Sequence, residues 1–106
     1  GKVTIDNQGN ITTSGFVVAS EVKTNKLTVS TLSATIGTAT LPANQLNVTV
    51  QSSEASESAK VFITPTTPTD KILSVANIKN KESFDVSILI PTPLDINFNW
   101  WIVGTE

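Results

Sequence analysis

The side chains that could perform acid–base chemistry in this sequence are its nine carboxylates, because the 106 residues include no His and no Cys. Ser-His-Asp catalysis, Cys-His catalysis and thiolate metal sites therefore cannot form within the chain. Two carboxylates at a defined separation can hydrolyse glycosides. Here only Asp85 lies within an apolar run, on the face opposite Phe84, and the other carboxylates fall in polar stretches typical of solvated charges. The sequence predicts no catalytic residue and no enzyme.

Oxygen ligands for a cation occur in residues 6–10, which read DNQGN. The run lacks the further acidic positions and the closing Glu of an EF-hand loop. A turn is the simpler interpretation, since Asp, Asn and Gly all favour turns. Phosphate-binding, dinucleotide-binding and zinc motifs do not occur either. We therefore predict no metal and no cofactor.

The remaining candidate for binding chemistry is aromatic, in the run INFNWWIV at residues 96–103. In a strand, adjacent side chains point to opposite faces, so Trp100 and Trp101 cannot both enter one core. The predicted core face of Trp100 also carries Ile96, Phe98 and Ile102. A flat indole beside Asn amides suits a sugar, but Trp is also enriched at subunit contacts. Both alternatives stay open for the candidate interface or ligand residues, which are Trp101, Asn97, Asn99 and Val103.

Strands must position these residues, and the sequence from Gly37 onward predicts six of them. Runs of about five to eight residues, rich in Val, Ile and Thr, alternate with Pro-, Ser- and Thr-rich turns. This spacing is typical of an antiparallel β-sandwich, jelly-roll-like in character. In the run SFDVSILI, alternation places four apolar residues on one face: Phe84, Val86, Ile88 and Ile90. We predict an all-β fold with a C-terminal sandwich module at 37–106.

Residues 1–36 have a different sequence pattern, in which apolar residues recur at intervals of five or six after an initial pair. They are Val3, Ile5, Ile11, Val17, Val22, Leu27 and Leu32. The interval matches neither a helix nor one long strand, and it suits short strands around a narrow core. One copy could hardly bury such a core, so the pattern favours a stalk of three intertwined chains, as in a β-helix or β-prism. The alternative is an ordinary hairpin with its turn at residues 6–9.

Composition excludes several classes of partner. All seven positive charges are Lys and the net charge is −2, which argues against nucleic acid. No apolar stretch approaches the roughly 18 residues needed to cross a bilayer, so we predict no membrane insertion. The sequence lacks Met even at position 1, which predicts an upstream region that holds any targeting signal.

Three stretches give the chain a resemblance to a known kind of protein: residues 37–42 (GTATLP), 62–65 (FITP) and 98–103 (FNWWIV). With the stalk-like GKVTIDNQGNITTSG, they resemble the C-terminal β-rich modules of repetitive surface or fibre-like proteins of uncultured bacteria, some similar to phage tail-fibre tips. The resemblance covers most of the chain. It implies a trimeric, extracellular or cell-surface, non-enzymatic cap on a fibre, and it supplies no catalytic residues.

Two functions follow as expectations. The first is a structural module that forms a homotrimer and caps a bacterial surface or fibre-like protein, with adhesion as a second role. The alternative is a lectin-like module that binds a cell-surface glycan or receptor. The size of the protein in solution shows whether the apolar residues at intervals of five or six form a core between chains or recur at that spacing by coincidence.

Overall fold

A computed structural model describes residues 3–5 and 7–105, in which the chain is all-β as predicted. One short 3-10 helix, Thr31–Ser33, interrupts the strands. The described residues contain no helix long and apolar enough to cross a membrane. The strands are β1 Val3–Ile5, β2 Ile11–Thr13, β3 Ile36–Leu41, β4 Asn47–Gln51, β5 Lys60–Pro65, β6 Ser74–Lys79, β7 Ser83–Ser87 and β8 Ile96–Val103.

Strands β1 and β2 form an antiparallel hairpin in which Val3 pairs with Thr13. The connection runs through Gly9, whose φ of 85° is a conformation that glycine adopts without steric cost. Asp6, part of the predicted turn, lies outside the described residues. The hairpin alternative is therefore confirmed for residues 3–5 and 11–13, whereas the predicted intertwining of three chains stays a prediction.

The six strands from Ile36 onward form two antiparallel sheets of three strands each, in the orders β3–β8–β5 and β4–β7–β6. This confirms the prediction of six antiparallel strands. Strand β8 is the centre of the first sheet, and β7 is the centre of the second. Strand β8 is therefore held by hydrogen bonds on both sides.

The two sheets share one hydrophobic core. Side chains on β8 alternate strictly between buried and exposed up to Trp101, because successive residues of a strand face opposite ways. Trp100 reaches across to the other sheet and meets the ring of Phe84 edge to face, with the ring centroids 5.5 Å apart. The largest fully buried side chains are Phe84, Phe98, Leu41, Ile96 and Val86. The predicted core role of Trp100 is confirmed.

The predicted apolar face of β7 is wrong at one end. Phe84, Val86 and Ile88 are buried, but Ile90 is 63% exposed and lies beyond the strand, which ends at Ser87. Pro91 follows Ile90 directly and has no N–H to donate to a sheet. Extending the alternation as far as the proline therefore overestimated the strand by three residues.

Strand directions give the two-sheet module two distinct ends. At the stalk end, the loop 52–59 meets residues 34–35 and the turn 80–82, and the Oγ of Ser52 donates to the carbonyl of Ala34. At the far end lie the loops 42–46, 66–73 and 88–95, and a hydrogen bond of 2.7 Å from Asn44 N to Thr92 O joins the first of them to the third. All five prolines belong to this end: Pro42, Pro65, Pro68, Pro91 and Pro93.

Candidate functional site

The predicted site residues lie on the outer face of the β3–β8–β5 sheet, the side turned away from the core. Strand register places their neighbours. Ile36 and Phe62 are the cross-strand partners of Trp101, and Thr38 and Thr64 are the partners of Asn99. Cross-strand neighbours lie about 5 Å apart and successive outward rows about 7 Å apart. The face therefore presents an apolar row, Ile36–Trp101–Phe62, beside a polar row, Thr38–Asn99–Thr64.

The apolar row supplies the neighbours of the second tryptophan. The rings of Phe62 and Trp101 have centroids 6.2 Å apart and are tilted by 42°. Trp101 is left 36% exposed and Phe62 54% exposed. The chain itself therefore flanks the indole on both sides, and only the side facing outward is open.

The two rows enclose a shallow groove of about 350 Å³, here called the Trp101 groove. Besides the six residues of these rows, Thr31 of the 3-10 helix, Gly37 and Trp100 line it. A second depression of about 380 Å³ adjoins it and shares Thr38 and Asn99. The concave surface thus continues along β8, past the end of the aromatic row.

Hydrogen bonding separates the two predicted asparagines. Asn97 is engaged by the protein: its side-chain Oδ1 accepts from Thr40 Oγ1 at 2.7 Å, and its backbone N–H donates to Thr67 Oγ1 at 2.9 Å. Among the described residues, no hydrogen bond involves the side chains of Asn99, Thr38 or Thr64. Asn97 therefore holds neighbouring segments together, whereas the side chains of the polar row Thr38–Asn99–Thr64 keep their hydrogen-bond donors and acceptors free.

The structure thus brings two of the four predicted site residues together, Trp101 and Asn99. Val103 is half-buried and pairs with Lys60, one row beyond the groove. Sequence inspection missed Ile36, Phe62, Thr38 and Thr64. Their alternation marks them as outward-facing, but only the strand register could place them beside β8.

The stalk presents a second candidate surface. From Ile11 onward, every member of its regular apolar series is exposed, and no strand lies between Thr13 and Ile36. Phe16 is 96% exposed and Leu32 94%. The exposed members of the series are Ile11, Val17, Val22, Leu27 and Leu32. Single exposed apolar residues are ordinary, whereas a regular series of them is the kind of feature for which an interaction surface is considered.

The carboxylates provide no comparable site. Within residues 3–5 and 7–105, no group of three or more Asp and Glu side chains is placed to hold a metal ion. Asp85 lies on the outer face of the other sheet, where it accepts from Thr49 Oγ1 at 2.7 Å and from Asn77 Nδ2 at 3.0 Å. These hydrogen bonds, that from Asn77 most strongly, lower the pKa of Asp85 below its ordinary value. An ionised, internally paired Asp is suited to holding strands together.

No known protein family, curated protein or solved structure matches this chain.

Proposed function

We propose that this protein is a non-enzymatic structural module that forms a homotrimer through its stalk, residues 1–36, and caps a surface or fibre-like protein with a β-sandwich. The observation that supports the proposal best is the exposed apolar series between Ile11 and Leu32. Its regular spacing along the chain and its exposure in one copy together call for burial between copies.

The stalk has little else to hold it. Between Gly15 and Ser33, its hydrogen bonds are local and span two or three residues, as from Gly15 N to Thr13 Oγ1 and from Leu32 N to Ser30 Oγ. Such contacts shape turns but bury no apolar surface. Pairing with other chains would satisfy the backbone and remove the Val and Leu side chains from water together.

A closed arrangement of three copies fits this requirement. If the stalk of each chain pairs with the stalks of two neighbours, three chains form a closed ring. A closed ring leaves no unpaired strand edge to which a further chain could bind. The two-sheet module would follow at the end of the stalk. Its far end, composed of three loops, would then form the outward tip of each copy, in keeping with a cap at a cell surface or on a fibre.

Size in solution tests the proposal. Gel filtration with light scattering of the full chain is expected to give a species of three times the 11.3 kDa chain mass. The three-chain species should persist on dilution to low micromolar concentration, because an obligate trimer is stabilised by the apolar surface that it buries. A folded monomer at all concentrations, with β-structure visible by circular dichroism, would rule out the stalk as a trimerisation element.

A further inference from the structure

We infer that the Trp101 groove binds a neutral oligosaccharide. This role is distinct from assembly, because it uses the outer face of the β3–β8–β5 sheet and requires no residue of the exposed stalk series. The inference starts from two adjacent rows on this face: the apolar row with Trp101 and Phe62, and the row of hydroxyl and amide groups that make no hydrogen bond in the protein.

The aromatic row matches the apolar face of a pyranose. A sugar ring carries C–H groups on its faces and hydroxyl groups around its rim, so it stacks on an indole while its rim seeks hydrogen bonds. Phe62 lies beside Trp101, with the ring centroids 6.2 Å apart, and so restricts the orientations that the indole can adopt. The site is largely formed in advance, which reduces the ordering cost of binding.

The polar row matches the rim of the same ring. Asn99 supplies an amide donor and a carbonyl acceptor, and Thr38 and Thr64 on either side supply hydroxyl groups that act as both. In a strand register this row lies about 7 Å from Trp101. A sugar stacked on the indole can therefore direct its hydroxyl groups to side chains that have no partner in the protein.

Charge and extent define the ligand further. None of the groove-lining residues carries a charge, so the groove offers nothing to balance a carboxylate or a sulfate. The adjoining depression continues past Asn99 towards Thr40 and Thr66. Its added length favours a chain of several sugars over a single one.

The same features disfavour a subunit contact at this face. Obligate interfaces have apolar centres, whereas here the central row is polar and its groups would be buried without partners. A glycan would satisfy those groups, but a flat apolar surface would not.

Titration of the full chain with maltohexaose, cellohexaose and chitohexaose, followed by a mixed array of neutral and acidic glycans, tests the inference. We expect saturable binding of at least one neutral oligosaccharide, with protection of Trp101 fluorescence from acrylamide. Trp101→Ala should weaken binding about tenfold or more, the loss of one stacking contact. Trp101→Phe should retain part of it, and Thr64→Val should weaken it severalfold. Leu89→Ala, an exposed apolar residue at the far end, is the matched control and should bind as the parent does.

Three results would overturn the inference: no binding of any neutral glycan by folded protein, binding confined to acidic glycans, or binding that survives Trp101→Ala. Light scattering on the same samples keeps this test separate from that of assembly. If Trp101→Ala breaks the trimer, the face is a subunit contact and the glycan site is excluded. If the parent protein is a monomer that binds glycan, only the assembly proposal fails.

Discussion

The indole of Trp100 lies over Gly37, its cross-strand partner, so closely that a Cβ on residue 37 would stand 2.7 Å from Cζ2 of the ring. That distance is well inside van der Waals contact. The ring also meets Phe84 in the core, which restricts its movement away from Gly37. Glycine at this position is therefore what allows a tryptophan to occupy the narrow space between the two sheets.

Gly37→Ala is expected to destabilise the module by about 1–3 kcal/mol, the usual cost of overpacking a core. Urea denaturation followed by Trp fluorescence measures the change. Gly104→Ala is the control, since nothing lies within 4 Å of a Cβ placed there. If Gly37→Ala unfolds at the same urea concentration as the parent protein, the close contact has no energetic importance.

Two phenylalanines allow one substitution to be compared at opposite extremes of burial. Phe84 is fully buried and touches Trp100, whereas Phe16 is 96% exposed. Phe84→Ala should cost about 3–5 kcal/mol, because it removes transfer free energy and leaves a cavity. Phe16→Ala should leave the urea midpoint of the two-sheet module unchanged. Equal effects of the two substitutions would contradict the assigned core.

If the chains assemble through the stalk, a charge introduced into the regular apolar series should weaken the trimer more than a charge introduced beside it. Val17 belongs to the regular apolar series and Val18 does not, although both are exposed in one chain. Val17→Asp would place a carboxylate of each copy in the shared core, where burial without a partner is costly. We expect the trimer to dissociate at a concentration at least tenfold higher than for the parent, by light scattering on dilution. The Val18→Asp variant should dissociate at about the same concentration as the parent protein. An equal effect of both substitutions would contradict a shared core formed by apolar residues at intervals of five or six.

The lowered pKa of Asp85 predicts a loss of stability in acid. Hydrogen bonds from Asn77 and Thr49 and the charge of Lys79 favour the ionised carboxylate, and partial burial opposes them. As pH falls, the unfolded chain takes up the proton first. The stabilisation is therefore complete above the ordinary pKa of 3.8 and is lost as pH falls through the lower folded value.

Thr49→Val removes one of those hydrogen bonds while it preserves the shape of the side chain. It should lower the free energy of unfolding by about 1 kcal/mol at pH 7, with a smaller difference from the parent at pH 2. Thr38→Val on the other sheet is the control, because its hydroxyl makes no hydrogen bond in the protein. Parallel pH profiles for Thr49→Val and the parent would show that Asp85 is not linked to Thr49 in solution. Urea titrations between pH 2 and pH 7 measure both.

Strand β8 shows how far local alternation predicts this fold. INFNWWIV assigns Trp100 to the core and Trp101 to the opposite face without knowledge of any other strand, because strand geometry alone fixes the two sides. The same rule failed at Ile90, since alternation says nothing about where hydrogen bonding stops. Pro91 was the signal that the strand had already ended.

The candidate groove depended on information that alternation does not contain. Phe62 stands opposite Trp101, and Thr64 opposite Asn99, only because β5 pairs with β8 in one particular register. If β5 paired with β8 two residues out of this register, every side chain would still face the same side of the sheet. Phe62 would then no longer lie opposite Trp101. Such non-local pairings are set by packing across the entire core, which one strand's sequence does not reveal.

The arrangement of the two ends makes the module a natural display scaffold. The chain enters at Thr35, where its carbonyl accepts from Ile102 N, and β8 returns to that same end. A tag fused behind residue 105 would therefore sit beside the stalk. A foreign epitope grafted at Leu89, which is 95% exposed, would instead be held at the opposite end of the module, on a loop braced by the hydrogen bond from Asn44 N to Thr92 O.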